Sequence, residues 1–187
     1  MQPSAPDLSG LLLTPEEAAG LDAPGRTDAA VLVPIYAWPH KPGLVFTERR
    51  ADLRRHAGEI SFPGGRQDRP DEDLRLTALR EAQEEIGLEP AQVELAGALP
   101  PIGTYVTSYK VHPFVGLIPE GLALEPNPAE VETVLAFELE QLRDGYAMRR
   151  LVRRGVPFRT PTFEVGRHLI WGATARILRE LLERLPR

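Results

Sequence analysis

The sequence predicts an α/β (α+β) fold, a sandwich of helices around a central mixed β-sheet. Three observations predict it. Strand-like runs outnumber helical ones through the middle of the chain. The strongest helical pattern, an acidic segment ending at Gly87, sits between two strand groups instead of alternating regularly with single strands. With 187 residues, 42% of them hydrophobic, the chain suits a single domain over 1–187 with a sizeable core.

The elements follow in order. Thr14-Pro15-Glu16-Glu17 has an N-cap residue, a proline at the first helical position and a glutamate that completes a capping box, so a short helix should end near Gly20. It belongs to an N-terminal extension, 1–28, ahead of a core of about 29–185. Asp22 to Gly25 is turn chemistry. Ala29–Trp38 is apolar and β-branched enough for a buried strand, and Pro34 within it implies an edge or a bulge. A turn over Pro39–Gly43 leads to Leu44–Thr47 as hairpin partner, and Leu53–His56 reads as a short turn or loop.

Phe62-Pro63-Gly64-Gly65 lets the backbone turn sharply, because glycine tolerates positive φ and omits a side chain where a ligand must approach. Leu74, Ala78, Ala82 and Ile86, with Leu79 beside them, form an apolar stripe at helical spacing. Asp71 or Asp73 can cap its start and Gly87 its end. Val93–Leu99, Lys110–Pro119 and Val131–Phe137 read as strands, the second interrupted by Pro113. Glu138–Arg143 offers one or two helical turns, and Arg150–Val165 a hairpin around Gly155-Val156-Pro157. The final helix, about Trp171–Leu185, buries Ala175, Leu178, Leu181 and Leu182.

Composition narrows the function. No apolar run is long enough to span a bilayer, and MQPSAPDLSG is no secretory leader, so a cytoplasmic protein with no membrane partner is expected. The absence of cysteine excludes disulfides, thiolate nucleophiles and zinc–cysteine sites. Net charge of −5 argues against a nucleic-acid partner. Arginines 49, 50, 54 and 55 nevertheless cluster in this acidic chain, which suggests a particular anionic small molecule. Nothing in the sequence sets the oligomeric state.

Glu81, Glu84 and Glu85 fan over one helix face. Crowded carboxylates repel by a few tenths of a kcal/mol per exposed pair. A hard divalent cation, Mg²⁺ or Mn²⁺, would reverse that cost, and such oxygen-ligated ions serve mainly phosphate chemistry. Taken alone, the triplet also fits a solvated helix face. Glu130 and Glu132 offer a distal ligand or base, or a solvated strand edge.

The context resembles a known family. Gly65, Asp71 and Arg80-Glu81-Ala82-Gln83-Glu84-Glu85-Ile86-Gly87-Leu88 resemble the Nudix box, G-x5-E-x7-R-E-U-x-E-E-x-G-U with U a bulky apolar residue. Here Asp71 replaces the first glutamate and one extra residue precedes Arg80; taking Glu72 as that acid moves the extra residue to the other gap. Ala82 is a small member of the apolar class. Upstream, Thr47-Glu48-Arg49 and Arg54, Gly58 and Phe62-Pro63-Gly64-Gly65 resemble the signature of Nudix coenzyme A pyrophosphatases, L-L-T-x-R-[SA]-x3-R-x3-G-x3-F-P-G-G. Arg50 departs from it, as do Val45-Phe46. Trp171–Leu178 is also similar to that subgroup, and the resemblance runs in order over about residues 30–180.

The resemblance implies a Nudix-like α/β/α sandwich and hydrolysis of the coenzyme A pyrophosphate bond to 3′,5′-ADP and 4′-phosphopantetheine. Glu81, Glu84 and Glu85 would be metal ligands, with a divalent ion neutralising phosphate oxygens and activating the attacking water. Arg80 would orient the acidic cluster. Arg49, Arg54 and Arg55 suit phosphate recognition, Gly64 and Gly65 shape the substrate loop, and His56 is a further phosphate donor or a structural residue. Two alternatives stay open: the same chemistry on ADP-ribose or NADH, and a non-catalytic nucleotide sensor.

Overall fold

A computed structural model describes residues 8–38, 40–52, 58–69, 73–104, 107–153 and 155–186. Arg54, Arg55 and His56, the Leu53–His56 turn and both candidates for the first acid, Asp71 and Glu72, lie outside the described residues.

After a 3-10 turn at Leu8–Gly10, helix α1 (Pro15–Ala19) forms with the expected capping box, Thr14 and Glu17 exchanging bonds of 2.8 and 3.1 Å. Such a cap stabilises a short helix by about 1 kcal/mol. The main sheet has eight strands: β1 (Thr27–Tyr36), β2 (Gly43–Arg49), β3 (Ile60–Ser61), β4 (Gly64–Arg66), β5 (Glu94–Ala98), β6 (Ile102–Gly103), β7 (Tyr109–Ile118) and β8 (Val131–Glu138). β1 runs parallel to β7 over ten residue pairs, and all other ladders are antiparallel, so the sheet is mixed.

β1 and β2 form the expected hairpin but pair only at its closed end, Ile35 with Leu44 and Tyr36 with Gly43. They then splay apart, and segment 60–66 fills the gap, β3 pairing with β2 and β4 with β1. That splay overturns the expectation that Pro34 marks an edge or a bulge, because β1 lies in the middle of the sheet. Leu32 donates its N–H to the Pro63 carbonyl, and alternation sends the position of the missing Pro34 N–H to the same side. There β4 has ended and β2 has not begun. Pro113 likewise falls where the partner of β7 changes from β6 to β5, so β7 is continuous and not interrupted.

Alternation along β1 creates two layers. Ala30 and Leu32 join Val45 and Phe114 against the buried face of α2 (Leu74–Ile86), made of Ala78, Ala82 and Ile86. Val33 and Ile35 face the other way, joining Leu44 and Phe46 against Leu178, Leu181 and Leu182 of α4 (Gly172–Arg184). Asp73, one of the two proposed caps, caps α2 by accepting the Arg75 N–H at 2.9 Å. Gly87 ends it with φ of 66°, which favours glycine.

Helix α3 (Leu139–Asp144) leads into a second sheet, β9 (Tyr146–Arg153), β10 (Val156–Val165) and β11 (His168–Ile170). The hairpin is longer than its expected range and begins at Tyr146. Arg143 binds this region to the end of α4, its guanidinium donating to the carbonyls of Leu182, Leu185 and Pro186 at 3.0–3.2 Å. No helix among the described residues is long and apolar enough to cross a membrane.

Candidate active site

The splay of β1 and β2 presents β4 to helix α2, and the site forms along that line. Glu81 and Glu85, one turn apart on α2, both project toward Gly64 and Gly65. Glu85 is only 5% exposed. Its Oε2 accepts the Gly64 N–H at 3.1 Å, and the Arg49 guanidinium at the end of β2 stands 3.9 Å from its Oε1. Burial outweighs both favourable contacts and pushes the Glu85 carboxyl up to about 7, with Glu81 and Glu130 adding repulsion.

Glu81 is also raised, chiefly by burial, although Arg80 opposes the rise. Arg80 acts as a hub: its Nη1 donates to Glu81 at 2.8 Å and to Glu84 at 3.4 Å, and its Nη2 donates to the Arg66 carbonyl at 3.3 Å and faces Asp68 at 3.5 Å. Glu84 stands outward, its side chain 58% exposed. The structure therefore brings Glu81 and Glu85 together on the inner face and sets Glu84 on the outer side of Arg80.

Gly64 and Gly65 correct the expectation of a sharp positive-φ turn. Both are strand residues of β4, and neither is among the positive-φ glycines. What the site requires is the missing side chain. A Cβ on Gly65 would lie 2.4 Å from the Glu81 carboxylate, and one on Gly64 would lie 2.3 Å from the Ala30 carbonyl oxygen. Gly65 makes room for the carboxylate, and Gly64 lets β4 lie against β1.

Loop 125–130 closes the other side. Glu125 and Asn127 donate N–H groups to the last carbonyls of α2, Ile86 at 3.0 Å and Glu85 at 2.8 Å, and the Arg50 N–H binds the Glu130 carbonyl at 3.2 Å. This fold-back brings Glu130 close enough to repel Glu85. Arg50, which breaks the upstream signature, clamps the loop through the Pro128 carbonyl at 2.5 Å and pairs with Asp52 at 2.6 Å. No sequence signal foretold the contact with Pro128, because the two residues are 78 apart and the loop is irregular.

Among the described residues, no three His, Asp or Glu side chains converge as a ready-made metal cage. The donor chemistry nonetheless fits a hard divalent cation. Glu81 and Glu85 are oxygen donors held together against burial and mutual repulsion, and Mg²⁺ commonly takes one or two carboxylates and leaves other positions for phosphate or water. Two clefts among the described residues lie elsewhere: about 1070 Å³ between Trp38, Arg143 and the end of α4, and about 450 Å³ beside α1 and the start of α2.

Residues 26–155 match the family model described as the NUDIX domain. The uncharacterized Nudix hydrolase NudL of Citrobacter koseri is 44% identical over 158 residues, 83% of this chain and 81% of that one. Its namesake from Photorhabdus laumondii is 42% identical over 159 residues, 84% of each chain. Among solved structures, the NUDIX domain of Shewanella oneidensis NrtR, complexed with ADP ribose, superposes with a TM-score of 0.59 over 86% of this chain and 89% of that one, at 16% identity. The Nudix hydrolase RenU of M. smegmatis does so with 0.53 over 71% and 81%, at 20% identity. These structural likenesses show a shared α+β fold.

Proposed function

The chain belongs to the Nudix hydrolase family, and from that premise we propose that it cleaves the pyrophosphate bond of coenzyme A with Mg²⁺ or Mn²⁺, releasing 3′,5′-ADP and 4′-phosphopantetheine. The observation that carries the chemistry is the Glu81–Glu85 pair seated against the side-chain-free strand Gly64–Gly65, with Arg49 at its rim. The substrate assignment rests on the signature over Thr47–Gly65.

Glu81 and Glu85 are the residues that would hold the cation, with Glu84 an outer contributor. The cation, when bound, supplies charge neutralisation on the diphosphate oxygens and lowers the pKa of water. Arg80 fixes the Glu81 carboxylate in place. Arg49 offers a guanidinium fork to a phosphate oxygen, and Arg54 and Arg55 extend that cationic edge in the sequence. Water adds to one phosphorus, the bridging P–O bond breaks, and both products leave as phosphate monoesters, whose second pKa of about 6 means that up to two protons are released as both become dianions. The buried surroundings of Glu85 strengthen every charge interaction at that point.

The test is a substrate panel. Purified protein is incubated with Mg²⁺ or Mn²⁺ and, in parallel, coenzyme A, ADP-ribose and NADH, and products are resolved by chromatography. Formation of 3′,5′-ADP with the highest kcat/KM supports the assignment. Faster cleavage of ADP-ribose, the compound in the Shewanella oneidensis NrtR complex of the same fold, would transfer the same chemistry to another substrate. No cleavage of any of them would leave a nucleotide-binding sensor and refute the enzyme assignment.

A further inference from the structure

The charges of the second half of the chain are sorted into two blocks. Between Lys110 and Arg143 there is no lysine or arginine, and glutamates stand at 120, 125, 130, 132, 138 and 140. From Tyr146 to Arg167 there are six arginines and one glutamate. The acidic block contains β8 and the basic block contains β9, joined by α3 alone. None of the ion pairs among the described residues connects the blocks; Arg149 pairs instead with Glu164 inside the hairpin.

Each block also ends a sheet. Among the described residues β8 pairs only with β2 and β9 only with β10, so each leaves one edge of eight residues. Such an edge is a template for another strand. The β9 hairpin further exposes Tyr146, Met148, Val152 and Val156, the last two at 69% and 64%. Pairing β9 with its own copy would bring two arginine-bearing strands together, and like charges opposed across a ladder are destabilising.

We propose that two copies of this chain associate about a two-fold axis, the arginine-bearing β9 edge of each lying along the glutamate-bearing β8 edge of the other. β8 and β9 are neighbours through α3, so together they form one self-complementary patch, as a closed two-fold interface requires. Charge complementarity names the occupant: the acidic strand that suits β9 is carried by this chain. An anionic lipid surface would meet the basic hairpin equally well but would repel the acidic block beside it.

Sedimentation velocity on the full chain at micromolar concentration tests this. A dimer is expected in low salt, weakening as ionic strength rises and the screening length falls to about 10 Å at 0.1 M. Arg150→Glu and Glu132→Arg, both at exposed positions, each give monomers, and mixing the two variants restores a dimer because both edge pairings of the mixed dimer are complementary, one with the native charges and one with them reversed. Val152→Glu tests the same strand through its apolar row and also gives a monomer. A wild-type monomer, a dimer indifferent to these substitutions, or failure of the mixture to reassociate overturns the proposal. So does a wild-type monomer that cosediments with phosphatidylserine vesicles, which would assign the hairpin to a lipid surface.

Discussion

Replacing Gly65 with alanine should separate activity from stability. The added Cβ would stand 2.4 Å from Cδ and Oε2 of Glu81 and 2.6 Å from its Oε1, whereas ordinary carbon contacts begin near 3.5 Å. Something must move by about 1 Å. The atom in the way is the tip of a flexible side chain, so the carboxylate swings and the backbone stays. Its 2.8 Å bond to Arg80 is disturbed as it moves. A misplacement of about 1 Å in a positioned group costs about 100-fold in rate, while relaxing one side-chain tip costs the fold about 1 kcal/mol or less. The assay is kcat for coenzyme A cleavage under saturating Mg²⁺, beside thermal melting. Wild-type kcat in Gly65→Ala would refute the placement of Glu81 at the reacting centre.

Other outcomes follow from the same geometry. Gly64→Ala should do the reverse, because its Cβ meets the Ala30 carbonyl and Val31 Cα, which are backbone; about 3 kcal/mol of strain corresponds to a melting temperature lower by about 10 °C. Glu85 sets a pH dependence. Its carboxyl is raised from 4.5 to about 7 by burial, so the folded state retains a proton that the unfolded state releases. Metal-free protein should lose on the order of 3 kcal/mol as pH rises from about 4.5 to 7; Mg²⁺ should restore stability at pH 7 and expel a proton on binding, both measurable by calorimetry. A metal-free melting temperature that is flat over that range would contradict the burial argument. Arg49→Ala, which removes the cation 3.9 Å from Glu85, should raise KM for coenzyme A about 10-fold, and an unchanged KM would take Arg49 out of phosphate recognition.

Much of this fold is legible in the sequence where one local rule acts. The stripe Leu74, Ala78, Ala82 and Ile86, closed by Gly87, specifies α2 because helix periodicity and capping are properties of neighbouring residues. Thr14 and Glu17 specify α1 in the same way. Pro34 and Pro113 mislead because the rule that keeps proline off central strands assumes an unbroken ladder on both sides. Here each falls where one partner strand replaces another, an arrangement created by segments far along the chain. Gly64 and Gly65 mislead differently: glycine has two uses, positive φ and absence of a side chain, and only contact with Glu81 and Ala30 reveals which applies.

The candidate site divides along similar lines. The spacing of Glu81 and Glu85 places both on one helix face and turns Glu84 about 100° from Glu85, but the anchoring of Arg80 by the Arg66 carbonyl and Asp68 is not written in that spacing. Glu130 gives no spacing signal because its approach depends on loop 125–130 folding back to cap α2. Arg50 breaks the upstream signature, and its contact with the distant Pro128 carbonyl appears only in the fold.

The most direct measurement is the steady-state rate of Glu85→Gln with coenzyme A and Mg²⁺, taken together with its thermal stability. Glutamine keeps the volume and can still accept the Gly64 N–H, while removing the negative charge. The expected result is a loss of kcat of at least about 1000-fold, the scale of deleting a key electrostatic group, in a protein that melts at or above the wild-type temperature at pH 8. Wild-type turnover by this variant would contradict it.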